Sequence, residues 1–309
     1  MNNQSHRTPL QNPAQPNVPY LLARGRLAAV GTVAALMLAG CSSAFFGVLN
    51  SGLDGRAPQS VEFAPEHALA LDVFRPRAGA YPAPVVVFFY GGSWQDGERA
   101  DYRFVGDALA SEGMLVVIPD YRKYPEVRFP DFMDDAAAAV AWARREAPRL
   151  GGDPERIILA GHSAGAHIAA LLATDERYLE GVDVPASAIA GLVGLAGAYD
   201  FLPSDDEALQ AIFGTEPDEQ ARSQPVNFVA GDEAPALLIH GDDDRLVLPR
   251  NSRHFAEVLR AHGVTVEHRT VDGVGHIRLL AGLRDERLAD VLEPMVDFIG
   301  QAASDPGTP

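Results

Sequence analysis

The stretch Ile157-Ile158-Leu159-Ala160-Gly161-His162-Ser163-Ala164-Gly165 runs into His167-Ile168-Ala169-Ala170-Leu171-Leu172-Ala173. An apolar run comes first, then a G-x-S-x-G turn, then a helical pattern. A strand that turns straight into a helix leaves its turn residue in a strained conformation at the rim of a sheet. Side chains two positions before and after that residue would clash, hence the two glycines. Ser163 is therefore a candidate nucleophile. A strand, a turn and a helix in this order also point to an α/β architecture.

Outward from this turn, apolar runs and helical patterns alternate, which argues for a mostly parallel sheet covered on both faces. Strands are expected at Val61–Phe63, Ala68–Phe74, Val85–Phe89, Leu115–Ile118, Ile157–Ala160, Ile189–Leu195, Ala236–Ile239 and Thr265–Thr270. Val85-Val86-Val87-Phe88-Phe89 is apolar throughout, as in a strand buried on both faces. Helices are expected at Tyr102–Ser111, Phe132–Ala147, Ala164–Ala173, Asn251–His262 and Asp285–Gly300. Residues 201–229 break the alternation. They are acidic, hold one short helical stretch near Glu207–Phe213, and read as a short lid between the sixth and seventh strands.

The chain has 309 residues, of which 47% are hydrophobic and 22% charged, enough for one large domain with a short extension. Its net charge of −17 offers no basic stripe to phosphates, which disfavours nucleic acid. There are no paired CxxC motifs, no calcium loop and no HExxH, so no metal and no cofactor are implied.

The single cysteine, Cys41, ends a distinctive segment. Residues 1–40 contain Arg7, Arg24 and Arg26 and no acid, then the apolar stretch Leu27 to Gly40. A basic region, a short apolar region and small residues before a cut make a secretory signal. Leu38-Ala39-Gly40-Cys41 is similar to the bacterial lipoprotein signal, which would leave Cys41 lipidated as the first residue. The alternative is one uncleaved membrane helix over residues 27–49, with Arg24 and Arg26 on the cytoplasmic side. Either reading puts the domain in the cell envelope, and Ser42 after the cysteine favours the outer membrane. The expected division is 1–40 signal, 41–60 anchor and linker, 61–300 catalytic domain and 301–309 disordered tail.

A serine hydroxyl is a weak nucleophile near pH 7. It needs a base within hydrogen-bond reach, and the base needs an orienting carboxylate. After a serine turn of this kind the acid and the histidine follow in that order, each after a late strand. Ala236-Leu237-Leu238-Ile239-His240-Gly241 ends in Asp242-Asp243-Asp244, any of which could be the acid. A solvated acidic turn and a metal site are the competing readings. Val271-Asp272-Gly273-Val274-Gly275-His276 supplies the base, His276, from a glycine-flanked loop. Of the other histidines, His162 and His167 are expected to pack, His254, His262 and His268 to lie on the surface, and His240 to make local hydrogen bonds. Val85–Phe89 runs into Tyr90-Gly91-Gly92-Ser93-Trp94, where glycines let the backbone approach an oxyanion. The N–H groups of Gly92 and Ser93, joined by that of Ala164, are the expected oxyanion hole. A plain turn is the competing reading. Trp94 either lines the pocket or packs.

Four blocks now carry a family resemblance: Tyr90-Gly91-Gly92-Ser93-Trp94; Asp120-Tyr121-Arg122 with Pro125-Glu126 and Phe129-Pro130; Gly151 to Ile157 running into the serine turn; and the loops of Asp244 and His276. The chain resembles an α/β-hydrolase carboxylesterase, close to the hormone-sensitive-lipase-like and feruloyl-esterase-like esterases, over about residues 60–300. The spacing H-G-x-x-D-x-x-V resembles that family's acid loop and picks Asp244, with Asp242 and Asp243 as fallbacks. The sequence departs from H-G-G-G in having Tyr90 for the histidine and Ser93 for the third glycine. The family's N-terminal cap is expected to be absent. The resemblance implies an eight-stranded α/β-hydrolase fold and a carboxylic-ester hydrolase with the triad Ser163, Asp244 and His276. It would act through an acyl-enzyme on small or medium esters, without a cofactor. The alternatives are an amidase or formamidase with the same triad, or a catalytically silent, membrane-anchored binding protein. The expected partners are a small-molecule ester and, through Cys41, a membrane; oligomeric state is open.

Overall fold

A computed structural model describes residues 44–53 and 57–304. The signal segment, Cys41 and residues 305–309 lie outside the described residues, as does most of the stretch read as an alternative membrane helix. Among the described residues no helix is long and apolar enough to cross a membrane. The described residues from Phe46 onward form one unit.

Eight strands make one sheet: β1 Gln59–Ala64, β2 Leu69–Phe74, β3 Ala83–Phe89, β4 Leu115–Pro119, β5 Gly152–His162, β6 Ile189–Leu195, β7 Ala236–Gly241 and β8 Val266–Val271. Their spatial order is β1-β2-β4-β3-β5-β6-β7-β8. β1 and β2 are antiparallel to their neighbours and the remaining strands are parallel, as the alternating pattern predicts. From β1 onward the α-helices of five or more residues are α1 Arg103–Ser111, α2 Asp131–Leu150, α3 Ala164–Thr174, α4 Glu207–Phe213, α5 Pro217–Ala221, α6 Arg250–Ala261 and α7 Leu292–Ser304.

The core sits where the apolar runs place it. In β3 every residue but Pro84 is buried, and Val85 to Phe89 are fully so. Pro84 is tolerated in this central strand because the β3–β5 ladder breaks there, its register jumping from Ala83↔Gly152 to Val85↔Ile157. The same break explains why β5 begins five residues earlier than its apolar run: Gly152 pairs alone and Asp153–Arg156 are looped out of the ladder. α3 is buried from Ala164 to Leu172, so its small residues pack on the sheet in all directions.

Two expectations at the C-terminus are corrected. The helix predicted over Asp285–Gly300 begins at Leu292. Pro294 lacks an N–H and would clash with a carbonyl four residues back, so it is favoured in a first turn, the place it takes here. Upstream, Asp285 instead folds back on Arg287, accepting its backbone N–H at 3.1 Å and its guanidinium at 2.6 Å. At the other end α7 continues to Ser304, so residues 301–304 are helical rather than tail.

Parallel pairing brings the carboxyl ends of the central strands to one rim. His162 of β5 pairs with Leu195 of β6, and Leu195 with Ile239 of β7. Gly241 of β7 pairs with Val271 of β8, and Phe89 of β3 with Gly161 of β5. The turns and loops that leave these ends carry the candidate triad and the candidate oxyanion-hole residues of the loop after β3.

Candidate active site

Ser163 follows β5 at once and caps α3 with φ 57° and ψ −121°. That region is costly for a residue with a side chain, about 1–3 kcal/mol. It is held by the Ser163 N–H donating to the Leu195 carbonyl at 2.9 Å and by the His167 N–H donating to the Ser163 carbonyl at 3.1 Å. The strained turn expected from G-x-S-x-G is thus present, and it aims the hydroxyl out of the sheet rim.

The His276 imidazole lies between two partners. Its Nε2 is 2.8 Å from Ser163 Oγ and its Nδ1 is 2.7 Å from Asp244 Oδ2. A carboxylate can only accept, so Nδ1 carries the proton and Nε2 is free to accept the serine hydroxyl. All three side chains are buried, with Ser163 7%, His276 8% and Asp244 2% exposed.

The choice among three aspartates resolves by burial. Asp242 and Asp243 are exposed; Asp242 accepts the Gly273 N–H at 2.6 Å and Asp243 pairs with Arg245 at 3.0 Å. They point away from Asp244, and no metal-holding cluster of histidine, cysteine or acid occurs among the described residues. Asp244 faces inward. Its Oδ1 accepts the N–H groups of Leu246 and Val247, both at 2.9 Å. Its Oδ2 accepts His276 and also the Nε2 of His240 at 3.1 Å. Burial alone would raise its pKa, but the bonds from His240, His276 and the Val247 N–H outweigh burial and hold it below the usual carboxylate range. His240 does make the local hydrogen bonds expected of it, including one from Nδ1 to Ser252 Oγ at 2.7 Å.

Opposite the imidazole runs the loop after β3. Ser93 and Trp94 both adopt positive φ, 52° and 59°, after Gly92 at 147°. This curl is closed by the Gln95 and Asp96 N–H groups donating to the Gly92 carbonyl at 3.0 and 2.8 Å. The N–H groups of Gly92, Ser93 and Ala164 donate to no group among the described residues, so all three are available to an anion.

The Asp120-Tyr121-Arg122 block anchors this loop. Tyr121 Oη donates to the Tyr90 carbonyl at 2.9 Å. Asp120 accepts Tyr90 Oη at 3.2 Å and pairs with Arg99. Arg122 makes a forked pair with Asp135 of α2, with bonds of 2.7 and 2.9 Å, and Asp135 is only 3% exposed. The partner Asp135 carries no signal in the sequence, because it is one of several acids on an amphipathic helix.

Trp94 packs. Its Nε1–H donates to His167 Nδ1 at 3.2 Å, and His167 Nε2–H donates to the Ser223 carbonyl at 2.7 Å. Burial, opposed only by the Ser223 bond, lowers the His167 pKa to about 4. Trp94 also stacks on Phe201 at 5.3 Å and meets Phe213 edge-on at 4.8 Å. Phe201, α4 and Ser223 belong to the segment between β6 and β7, so that short lid is seated directly on the loop after β3 and on α3.

Residues 71–259 match the BD-FAE family, which bears out the resemblance to hormone-sensitive-lipase-like esterases. Esterase LipC of Mycobacterium tuberculosis is 33% identical over 246 residues, 72% of this chain and 60% of its own length. Isoprenylcysteine alpha-carbonyl methylesterase ICME of Arabidopsis thaliana is 30% identical, over 76% of this chain and 61% of its own. The chain thus spans about three fifths of the length of these curated relatives. Among solved structures, the apo form of Thermogutta terrifontis esterase 2 superposes with a TM-score of 0.69 at 26% identity, covering 80% of this chain and 95% of that one. The α/β-hydrolase fold expected from the sequence is therefore the one observed.

Proposed function

We propose that this chain, which belongs to the BD-FAE family, is a serine carboxylic-ester hydrolase that works through an acyl-enzyme. The observation that carries this reading is the pair of hydrogen bonds on His276, 2.8 Å to Ser163 Oγ and 2.7 Å to Asp244 Oδ2. Ser163 Oγ attacks the ester carbonyl carbon while His276 Nε2 takes its proton. The carbonyl oxygen gains the charge and meets the free N–H groups of Gly92, Ser93 and Ala164. On collapse the carbon–oxygen bond to the leaving alcohol breaks, and His276 gives its proton to that alcohol. Water, deprotonated by His276, then attacks the acyl-serine, and the acid and the serine hydroxyl are restored. Asp244 fixes the imidazole and balances its charge while it holds both protons.

The relatives support an ester rather than an amide as substrate. Thermogutta terrifontis esterase 2 is known with butyrate bound, at 26% identity and a TM-score of 0.66, and with propionate bound, at 0.67. The aromatic cluster of Trp94, Phe201 and Phe213 fills the space beside the loop after β3, which also favours short acyl groups. The test is a panel of p-nitrophenyl esters of rising acyl length beside the matching anilides. Turnover is expected on acetate to butyrate esters, much slower on anilides, and absent in Ser163→Ala. Full activity in that variant would overturn the assignment.

We also propose that Cys41 carries a lipid that holds the enzyme in the cell envelope, with the outer membrane favoured. The basis is the Leu-Ala-Gly-Cys sequence. Labelled palmitate should enter the wild-type chain and not Cys41→Ser; no label in either chain, with both retained in membranes, would instead favour the uncleaved helix.

A further inference from the structure

We infer that Tyr102, braced by Phe46 and Asn50, is a positioning residue that sets the Tyr90–Gly91 peptide, one residue before the Gly92 N–H, and the His276 loop against Ser163. The inference rests on the reading of Ser163 as nucleophile and Gly92 as oxyanion donor. Three loops of the site meet at one phenol. The Gly91 N–H donates to Tyr102 Oη at 3.2 Å, and Tyr102 Oη lies 3.3 Å from His162 Nδ1. His162 Nε2 in turn lies 3.2 Å from the His276 carbonyl oxygen.

The directions of these bonds are forced. A carbonyl only accepts, so His162 Nε2 carries a proton. Burial, and next the neighbouring His276, lower the His162 pKa well below its ordinary value, so the ring is neutral and Nδ1 must accept. The Tyr102 hydroxyl therefore donates to Nδ1, and its lone pair receives the Gly91 N–H. The phenol thus takes from the loop after β3 and gives to the serine turn, and His162 passes the chain on to the His276 loop. The spacing at Gly91 leaves no slack. A Cβ there would stand 2.9 Å from His162 Nδ1 and 3.0 Å from Ser163 Cβ, so a shift of this peptide is passed to the nucleophile.

The phenol is itself held from outside the sheet. Tyr102 caps α1 but makes no side-chain cap bond, since its long phenol reaches into the site instead of back to the first helical N–H groups. Asn50 supplies the missing cap from a distant part of the chain. Its Oδ1 accepts the Phe104 N–H at 3.0 Å, and its Nδ2 donates to the carbonyls of Ala100 and Asp101 at 3.2 and 2.9 Å. Phe46 lays its ring 5.0 Å from that of Tyr102, and the Asn50 N–H closes a helical turn onto the Phe46 carbonyl at 2.9 Å. Residues 46–50, read in the sequence as part of the anchor and linker or as the end of a membrane helix, thus brace the catalytic unit.

The experiment uses the full chain and its Tyr102→Phe and Asn50→Ala variants, with Ser163→Ala as control. It records kcat and KM on p-nitrophenyl acetate, melting by calorimetry, and inhibition by a trifluoromethyl ketone, which forms an oxyanion on the nucleophile. Tyr102→Phe should lower kcat by about tenfold to hundredfold, the scale of a misplacement near 1 Å, with KM within about twofold. The inhibition constant should rise in step. Asn50→Ala should lower kcat by about fivefold, less than Tyr102→Phe, because it loosens the phenol's position without removing its hydroxyl. If Tyr102→Phe fails to fold, Asn50→Ala decides. A kcat within twofold of wild type, a loss confined to KM, or an unchanged inhibition constant overturns the inference. Turnover that survives in Ser163→Ala overturns the functional reading instead.

Discussion

Alanine at Gly165 tests whether the serine turn is as tightly built as its geometry states. A Cβ placed there would stand 2.0 Å from the Phe89 carbonyl oxygen, 2.4 Å from its carbon and 2.5 Å from the Tyr90 oxygen. An ordinary carbon–oxygen approach is about 3.3 Å, so α3 and the end of β3 must part by about 1.3 Å. All three obstacles are backbone, of the last residue of β3 and the one after it, so no side chain can rotate away to make room. The stability cost is that of overpacking a dense core, about 2–3 kcal/mol. For a domain of this size that lowers Tm by about 5–10 °C. Ser163 begins the displaced helix, and a shift near 1 Å at the nucleophile costs about a hundredfold in rate. The assay pairs calorimetry with the rate at which a fluorophosphonate labels Ser163. Gly300→Ala in α7 is the control, since a Cβ there meets nothing within 4 Å, and it should leave both readings intact or raise Tm slightly. A Gly165→Ala enzyme that melts within 1 °C of wild type and labels at the wild-type rate would refute the reasoning.

The unfolded chain takes up a proton at His167 as the pH falls below its ordinary value of 6.5, while the folded chain does so only at about 4. The folded state therefore loses stability as pH falls from about 6.5 to about 4, by up to ~3 kcal/mol from this residue. Urea unfolding at several pH values should show that slope, and His167→Gln, which can still accept from Trp94 and donate to Ser223, should reduce it to the share left by the buried His162. Asp135→Ala leaves the Arg122 guanidinium without its forked partner and should destabilise by about 3–5 kcal/mol in the same urea assay. His276→Ala should fall to the activity floor of Ser163→Ala, because the members of such a triad act as a unit.

Much of the site was readable because its residues sit at fixed places relative to apolar runs. Ile157–Ala160, Ile189–Leu195 and Ala236–Ile239 are buried on both faces, and a run that is apolar throughout marks its own strand. Ser163 and Asp244 each follow such a strand closely, whereas His276 follows the polar, half-exposed β8 and was legible from its glycine-flanked loop and its place in the chain order. What stayed hidden were partners whose role exists only in three dimensions. Asn50 sits among turn residues and reads as linker, yet it caps a helix more than fifty positions away. Tyr102 looks like the first residue of α1, and nothing local says its hydroxyl serves the Gly91 peptide. Asp135 is one acid in the run Asp131, Asp134 and Asp135, and only burial separates it. The early start assigned to the last helix failed for a local reason that was present in the sequence, the imino nitrogen of Pro294.

The carboxylate of Asp244 receives four donors, two on each oxygen: the amides of Leu246 and Val247, and the rings of His276 and His240. Its lone-pair directions are full. A proton arriving there would have to evict one of those donors into a space that water does not reach, so traffic along the imidazole runs only through the nitrogen facing the serine. A longer side chain at 244 could not keep all four partners at once, which makes aspartate, and not acidity in general, the requirement of this loop.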